Sequence, residues 1–302
     1  MAISPPVNQQ PPDRYGEVFD RGYQHYDGKR LGRPQAVKSL IIYSMKRAMG
    51  IRKSWTAKVL PFLLYISAIV PLIVMIGISA IVPQMEFASY TDYFSGIMLI
   101  VGIFVATIAP EMLCVDRREK TLPLYFARAI SRFDYVFAKL AATAILTMTI
   151  SVVPAVLLWL GRQLVSDSPW SAMKDNIGDL GRVIVAGALI ALVLGTLGLA
   201  VSSVTSRKGV AVTIIILAFI ILTSITATIF EIVDADWKRY FIFLSLFDVF
   251  DAFIRQYMNT PNIPTLVQEA DFSTLTYFLY MVGLVIAGVL FVRWRYAPRD
   301  EA

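Results

Sequence analysis

Six apolar runs, each 18 residues or longer, constrain this 302-residue chain more than any motif in it. They cover residues 59–82, 95–114, 138–160, 183–204, 210–230 and 275–292. At about 1.5 Å per residue, a helix of that length matches the ~30 Å hydrocarbon core of a bilayer. Only helices and closed barrels satisfy every backbone polar group in lipid. The runs are continuously apolar rather than alternating, so they read as helices. Residues of hydrophobic type make up 57% of the chain, more than a soluble domain buries. The expected fold class is an all-α membrane protein with six transmembrane helices, an amphipathic N-terminal interfacial helix and short outer helices before the last span.

Charge orients the runs. Of the 28 Lys/Arg, 22 lie in the leader, the 115–139 connection, the 205–209 turn and the tail after residue 292. Of the 22 Asp/Glu, 12 lie in the alternate connections. One side is thus +12 and the other −6, which accounts for the net +6. The positive-inside rule places both termini in the cytoplasm. Residues 240–254 are apolar enough to imitate a seventh span, but the stretch is short and carries Asp248 and Asp251. It is expected as an interfacial or re-entrant helix on the outer side.

The domain division is a cytoplasmic leader (1–58) and a six-span transmembrane domain (59–302), the latter with an inner connection 115–137 and an outer connection 231–273. Residues 1–12 are Pro- and Gln-rich and expected to be disordered. Pro34 suits the first turn of a helix over about 35–49, with Val37, Leu40, Ile41, Ser44, Met45 and Ala48 near one face. No cleavable apolar leader is expected ahead of the first span. The 43-residue outer connection has Pro261 and Pro264 as a break between two short helices capping the outer mouth.

The residue inventory excludes several functions. One Cys and one His leave no intrachain disulfide, Cys/His metal cluster or catalytic triad, and no phosphate loop GxxxxGK[ST] or HExxH occurs. No catalytic, cofactor-binding or metal residue is assigned, and the chain is read as a non-enzyme. Charged residues are missing from the middle of every span, where carriers driven by protons or ions usually keep one. A secondary carrier or channel, or a non-transporting membrane regulator on the same scaffold, are the alternatives to the reading below. The basic residues sit beside spans, so the expected contact is membrane lipid and no nucleic acid. Glu111 and Lys139 stand at the membrane edge. Thr223, Ser224, Thr226 and Thr228 are possible pathway residues, although such hydroxyls commonly bond the preceding helical turn. Thr143, Thr147 and Ser151 in span three, and Gly187, Ala191 and Gly195 in span four, form stripes suited to close helix packing.

The remaining feature is the inner connection, EMLCVDRREKTLPLYFARAISRFDYVFAK over residues 111–139. It is long for a turn and mixes basic residues with Leu122, Leu124, Tyr125 and Phe126. That composition suits a short surface helix presented to a soluble partner. Its run of Glu119, Thr121-Leu122-Pro123-Leu124, Ala129-Ile130-Ser131-Arg132, Val136-Phe137 and Lys139 resembles the first inner connection of type 2 permeases of ATP-binding cassette exporters. Pro123 and Ala129 depart from the family pattern. The resemblance covers nearly the whole span arrangement. It implies a permease subunit in a bacterial-type plasma membrane, exporting an amphipathic or lipid-like substrate. It also implies a coupling helix that docks on a separate ATPase subunit, with Glu119, Thr121, Leu122, Leu124, Arg128, Ser131 and Arg132 as the ATPase-coupling residues. ATP and Mg would be bound by that partner, with no cofactor on this chain. A second permease copy or a paralogous permease would complete the unit, with a path lined mainly by spans one, two and five.

Overall fold

A computed structural model of the chain describes residues 32–51, 53–81, 89–127, 130–260 and 264–297. The Pro/Gln-rich start, Arg128, Ala129 and Pro261 lie outside the described residues. The elements run α1 (Gly32–Ala48), α2 (Trp55–Ile81), α3 (Tyr90–Arg118), α4 (Leu122–Phe126), α5 (Arg132–Val165), α6 (Pro169–Asp175), α7 (Ile177–Val204), α8 (Lys208–Ile232), a 3-10 helix (Asp236–Leu244), α9 (Leu246–Tyr257), α10 (Thr265–Ala270) and α11 (Thr274–Tyr296). Among the described residues there is no strand.

Six of these helices, α2, α3, α5, α7, α8 and α11, are long and apolar enough to cross a membrane. They extend past the apolar runs because polar residues continue the helix beyond the hydrocarbon. Thus α3 carries on to Arg118, and α5 begins at Arg132 behind a capping box in which Ser131 and Asp134 satisfy each other's backbone donors. The 12-residue α9 reaches about 18 Å, too little to span. The connection over residues 231–273 holds three short elements among its described residues: the 3-10 helix, α9 and α10.

Helix α3 is the central post. It is buried along most of its length, from Tyr93 and Phe94 at one end to Cys114 and Asp116 at the other. The two small-residue stripes meet: Ser151 donates to the Gly187 carbonyl at 2.9 Å, and a Cβ on Gly195 would lie 3.5 Å from Thr143 Cγ2. Small side chains let α5 and α7 approach closely, where lipid offers no hydrophobic drive to hold helices together. By contrast, α2 and α8 bury few residues and leave side chains such as Leu63, Ile66, Ile221 and Ile225 exposed. Those faces suit lipid or another apolar helix.

Helix α1 turns its apolar face inward. Leu40, Ser44 and Ala48 are buried, and Val37, Ile41 and Met45 pack against the same core. It rests on α5 and α3. Gly50 then reverses the chain into α2 with φ +69°, a left-handed conformation that suits glycine.

Candidate functional site

The charged residues of α1, α3, α5 and α8 converge at the basic end of the bundle. Asp116, in the last turns of α3, is the hub and is 0% exposed. Arg47 Nη1 from α1 donates to its Oδ1 at 2.6 Å. Lys139 Nζ from α5 lies 2.8 Å from Oδ2, and the Tyr135 hydroxyl donates to Oδ2 at 2.9 Å. Arg47 Nη2 also donates to Glu119 at 3.0 Å. Desolvating a charge costs several kcal/mol, so such a hub persists only when its charges are matched. Burial opposes the charge on Arg47, yet Asp116 and Glu119 prevail and hold its pKa above the ordinary arginine value.

Glu111, one helical turn and a half earlier on α3, forms a second node. It is buried, ion-paired with Lys53 between α1 and α2, and 2.8 Å from Lys208 Nζ at the start of α8. Arg117 donates to the Ser203 carbonyl at the end of α7. The basic ends of α1, α3, α5, α7 and α8 are therefore tied by charged and polar contacts.

The connection between α3 and α5 hangs from this frame. Lys120 takes a left-handed backbone (φ 53°), which breaks α3 sharply. Helix α4 follows, with Pro123 in its first turn, a position that proline tolerates. Glu119 is half-exposed and held by Arg47. The Thr121 hydroxyl donates to the Asp116 carbonyl at 3.3 Å. Leu122 is half-buried against the core, whereas Leu124 is 68% exposed. Tyr125 and Phe126 pack on Tyr135 with ring centroids 5.7 and 5.9 Å away. Burial, with Asp116 adding, pushes the Tyr125 hydroxyl up to about 12. Ser131 caps α5, and Arg33 of α1 makes two 2.8 Å bonds to Asp134 beside it. Exposed Arg132 lies over the Phe126 ring at 5.4 Å. Helix α4 is thus clamped on both sides, with one face left outward.

The residues at the opposite end do not form one group. Ser224 and Thr228 are exposed and bond the Ile220 and Ser224 carbonyls of their own helix. Thr226 is buried, bonding the Leu222 and Phe241 carbonyls. Thr223 pairs with Ser245 at 3.1 Å. Thr223 and Ser224 do border an apolar cavity of about 470 Å³ between α3, α8 and α9, with Leu99, Ile103, Phe219 and Phe247 on its walls.

Sequence reasoning missed Arg47, Lys53, Asp116, Tyr135 and Lys208. One signal was present. Lys139 has no acidic residue three or four positions away on its helix, so its partner had to come from elsewhere.

Six membrane-length helices, tied at one end by charged contacts and carrying a clamped short helix between α3 and α5, describe a multi-pass membrane protein. The profile of the ABC-2 family transporter proteins matches residues 59–293. The chain belongs to this family, whose members serve as membrane permease subunits rather than catalysts and associate with ATP-binding cassette ATPases. No curated protein matches the chain.

Proposed function

We propose that this chain is the permease of an ATP-driven exporter for an amphipathic or lipid-like substrate, and that α4 with its flanks, residues 119–132, docks on a separate ATPase. The partner binds ATP and Mg, and this chain holds no cofactor. A second copy or a paralogous permease faces it. The membrane is a bacterial-type plasma membrane, with both termini in the cytoplasm. The observation that carries this reading is the exposure of Leu124 on a five-residue helix held through Glu119, Thr121, Tyr125, Phe126 and Ser131. A surface helix that yielded under load would dissipate movement. One fixed through Glu119–Arg47, Ser131–Asp134 and the Asp116 hub would pass it to α1, α3 and α5 as a rigid body. The apolar cavity beside α8 and the exposed aliphatic faces of α2 and α8 support an amphipathic substrate.

The test is Leu124→Glu in proteoliposomes with the ATPase subunits present. An exposed apolar anchor at an interface is worth about 1–2 kcal/mol, and a charge in its place adds a desolvation cost. ATPase binding should weaken at least tenfold and transport-linked hydrolysis should fall with it, while membrane insertion stays normal. Unchanged coupling would reject the assigned docking surface.

A further inference from the structure

The basic end of the bundle has two unlike halves. Around α1, every pairing described above matches a cation to a carboxylate: Arg33, Arg47, Lys53, Lys139 and Lys208. Around the end of α11, among the described residues, the cations lack such partners. Among the described residues, no carboxylate lies within 4.0 Å of Arg117, Arg132, Arg293 or Arg295, whereas Arg118 and Arg182 elsewhere do have one. Two cavities of about 480 and 520 Å³ meet there, sharing Arg132, Tyr296 and Ala297. The first is walled by Arg117, Arg132 and Arg295 together with Leu122 and Phe126. The second runs past Arg293 to Phe133. Tyr296 borders both; it is buried, and its hydroxyl has no hydrogen-bond partner among the described residues.

We propose that this groove holds the phosphate headgroup of an anionic phospholipid from the leaflet next to α4. Guanidinium groups bind phosphate oxygens with paired N–H donors, and like charges gathered with no carboxylate within 4.0 Å among the described residues suit an anion. The neighbouring surface is one for lipid rather than water. Phe133 on the wall of the second cavity is exposed, as are Phe137 of α5 and Leu290, Phe291 and Trp294 of α11, so acyl chains can follow where the headgroup is held. A phosphate in the first cavity would also lie against α4, whose Leu122 and Phe126 wall it, and beside Arg132 at the start of α5, which reaches the Ala297 carbonyl at 3.3 Å. Bound lipid would then brace α4 against the end of α11.

The test is native mass spectrometry of the delipidated full chain in detergent, titrated with phosphatidylglycerol, phosphatidylcholine or inorganic phosphate. The lipid titrations are run before any ATPase subunit is added, so their result is independent of the docking role given to Arg132 above. Each arginine near an anionic surface is worth about fivefold in binding. Arg132→Ala with Arg295→Ala should therefore weaken phosphatidylglycerol binding roughly thirtyfold. Arg132→Lys with Arg295→Lys should retain most of it, which separates charge loss from misfolding, and Arg182→Ala at the far end should change nothing. Equal binding of phosphatidylcholine, equal loss in Arg182→Ala, or displacement of the lipid by millimolar phosphate would each overturn the lipid assignment. Displacement by added ATPase subunit would transfer the groove to the protein partner and overturn it likewise.

Discussion

Replacing Asp116 by Asn should destabilise the protein more than any other single change at its basic end. The carboxylate faces Arg47 at 2.6 Å, Lys139 at 2.8 Å and the Tyr135 hydroxyl at 2.9 Å. Asparagine keeps the shape and removes the charge. Arg47 then still has Glu119 at 3.0 Å. Lys139, 1% exposed, is then left, among the described residues, with no carboxylate and with neutral partners such as the Ser44 hydroxyl at 3.0 Å and the face of Tyr135 at 5.2 Å. Stranding one charge of a buried pair costs about 3–5 kcal/mol, and Lys139 carries most of that here. Removing the stranded ammonium as well should relieve it. Asp116→Asn with Lys139→Met is expected to cost only about 1–2 kcal/mol, on the order of a weakened hydrogen bond or two. Lys139→Met alone should cost a similar amount, because Asp116 keeps Arg47 and Tyr135. The assay is unfolding of the full chain in mixed micelles under rising SDS, followed by tryptophan fluorescence. A cost below about 1 kcal/mol for Asp116→Asn, or additive effects in the double variant, would refute the hub.

Further outcomes follow from other sites. Asp248 of α9 has an Oδ2 that is buried without a partner among the described residues, and burial raises its pKa, with Asp251 adding to the shift. A carboxyl raised on folding favours the fold below its unfolded pKa and loses that contribution as pH rises through the folded value. Stability should therefore increase from neutral pH toward the ordinary carboxylate range, and Asp248→Asn should flatten that part of the profile in a pH series of thermal melts. Gly50→Ala would place a Cβ 2.7 Å from the Ala57 carbonyl oxygen at a positive φ. A loss of about 1–3 kcal/mol, with faster proteolysis between α1 and α2, is expected. Ser131→Ala removes the cap of α5 and should cost about 1 kcal/mol, with hydrogen exchange rising first at Phe133 and Asp134 while Ser131→Asp restores protection.

The six long helices were legible because lipid allows no partly polar compromise, so each span appears as an unbroken apolar run. The shortness of α9 was readable from Asp248 and Asp251, and the mixed surface of α4 from Leu122–Phe126 among basic residues. The Asp116 hub was not. Arg47 and Asp116 stand 69 residues apart and Ser44 and Lys139 stand 95 apart, so periodicity along one helix has no access to their pairing. Glu111 and Lys139 were legible as charges near the ends of spans, but their exact partners depend on how five helix ends meet. The hydroxyls of α8 show the opposite case. A row from Thr223 to Thr228 looks like one polar lining, yet residues two apart on a helix point in different directions, and Thr226 is buried while Ser224 and Thr228 face outward.

The most direct test of the transport account uses the chain's single cysteine. Cys114 is buried, so Leu124→Cys introduces an accessible thiol on α4. A membrane-impermeant maleimide is applied to sealed vesicles of either orientation, with and without the ATPase subunits. Labelling of Leu124→Cys in inside-out vesicles alone, with protection when the ATPase is bound, is the predicted result. Labelling from the outside, or equal labelling with and without the ATPase in a complex that still transports, would contradict it.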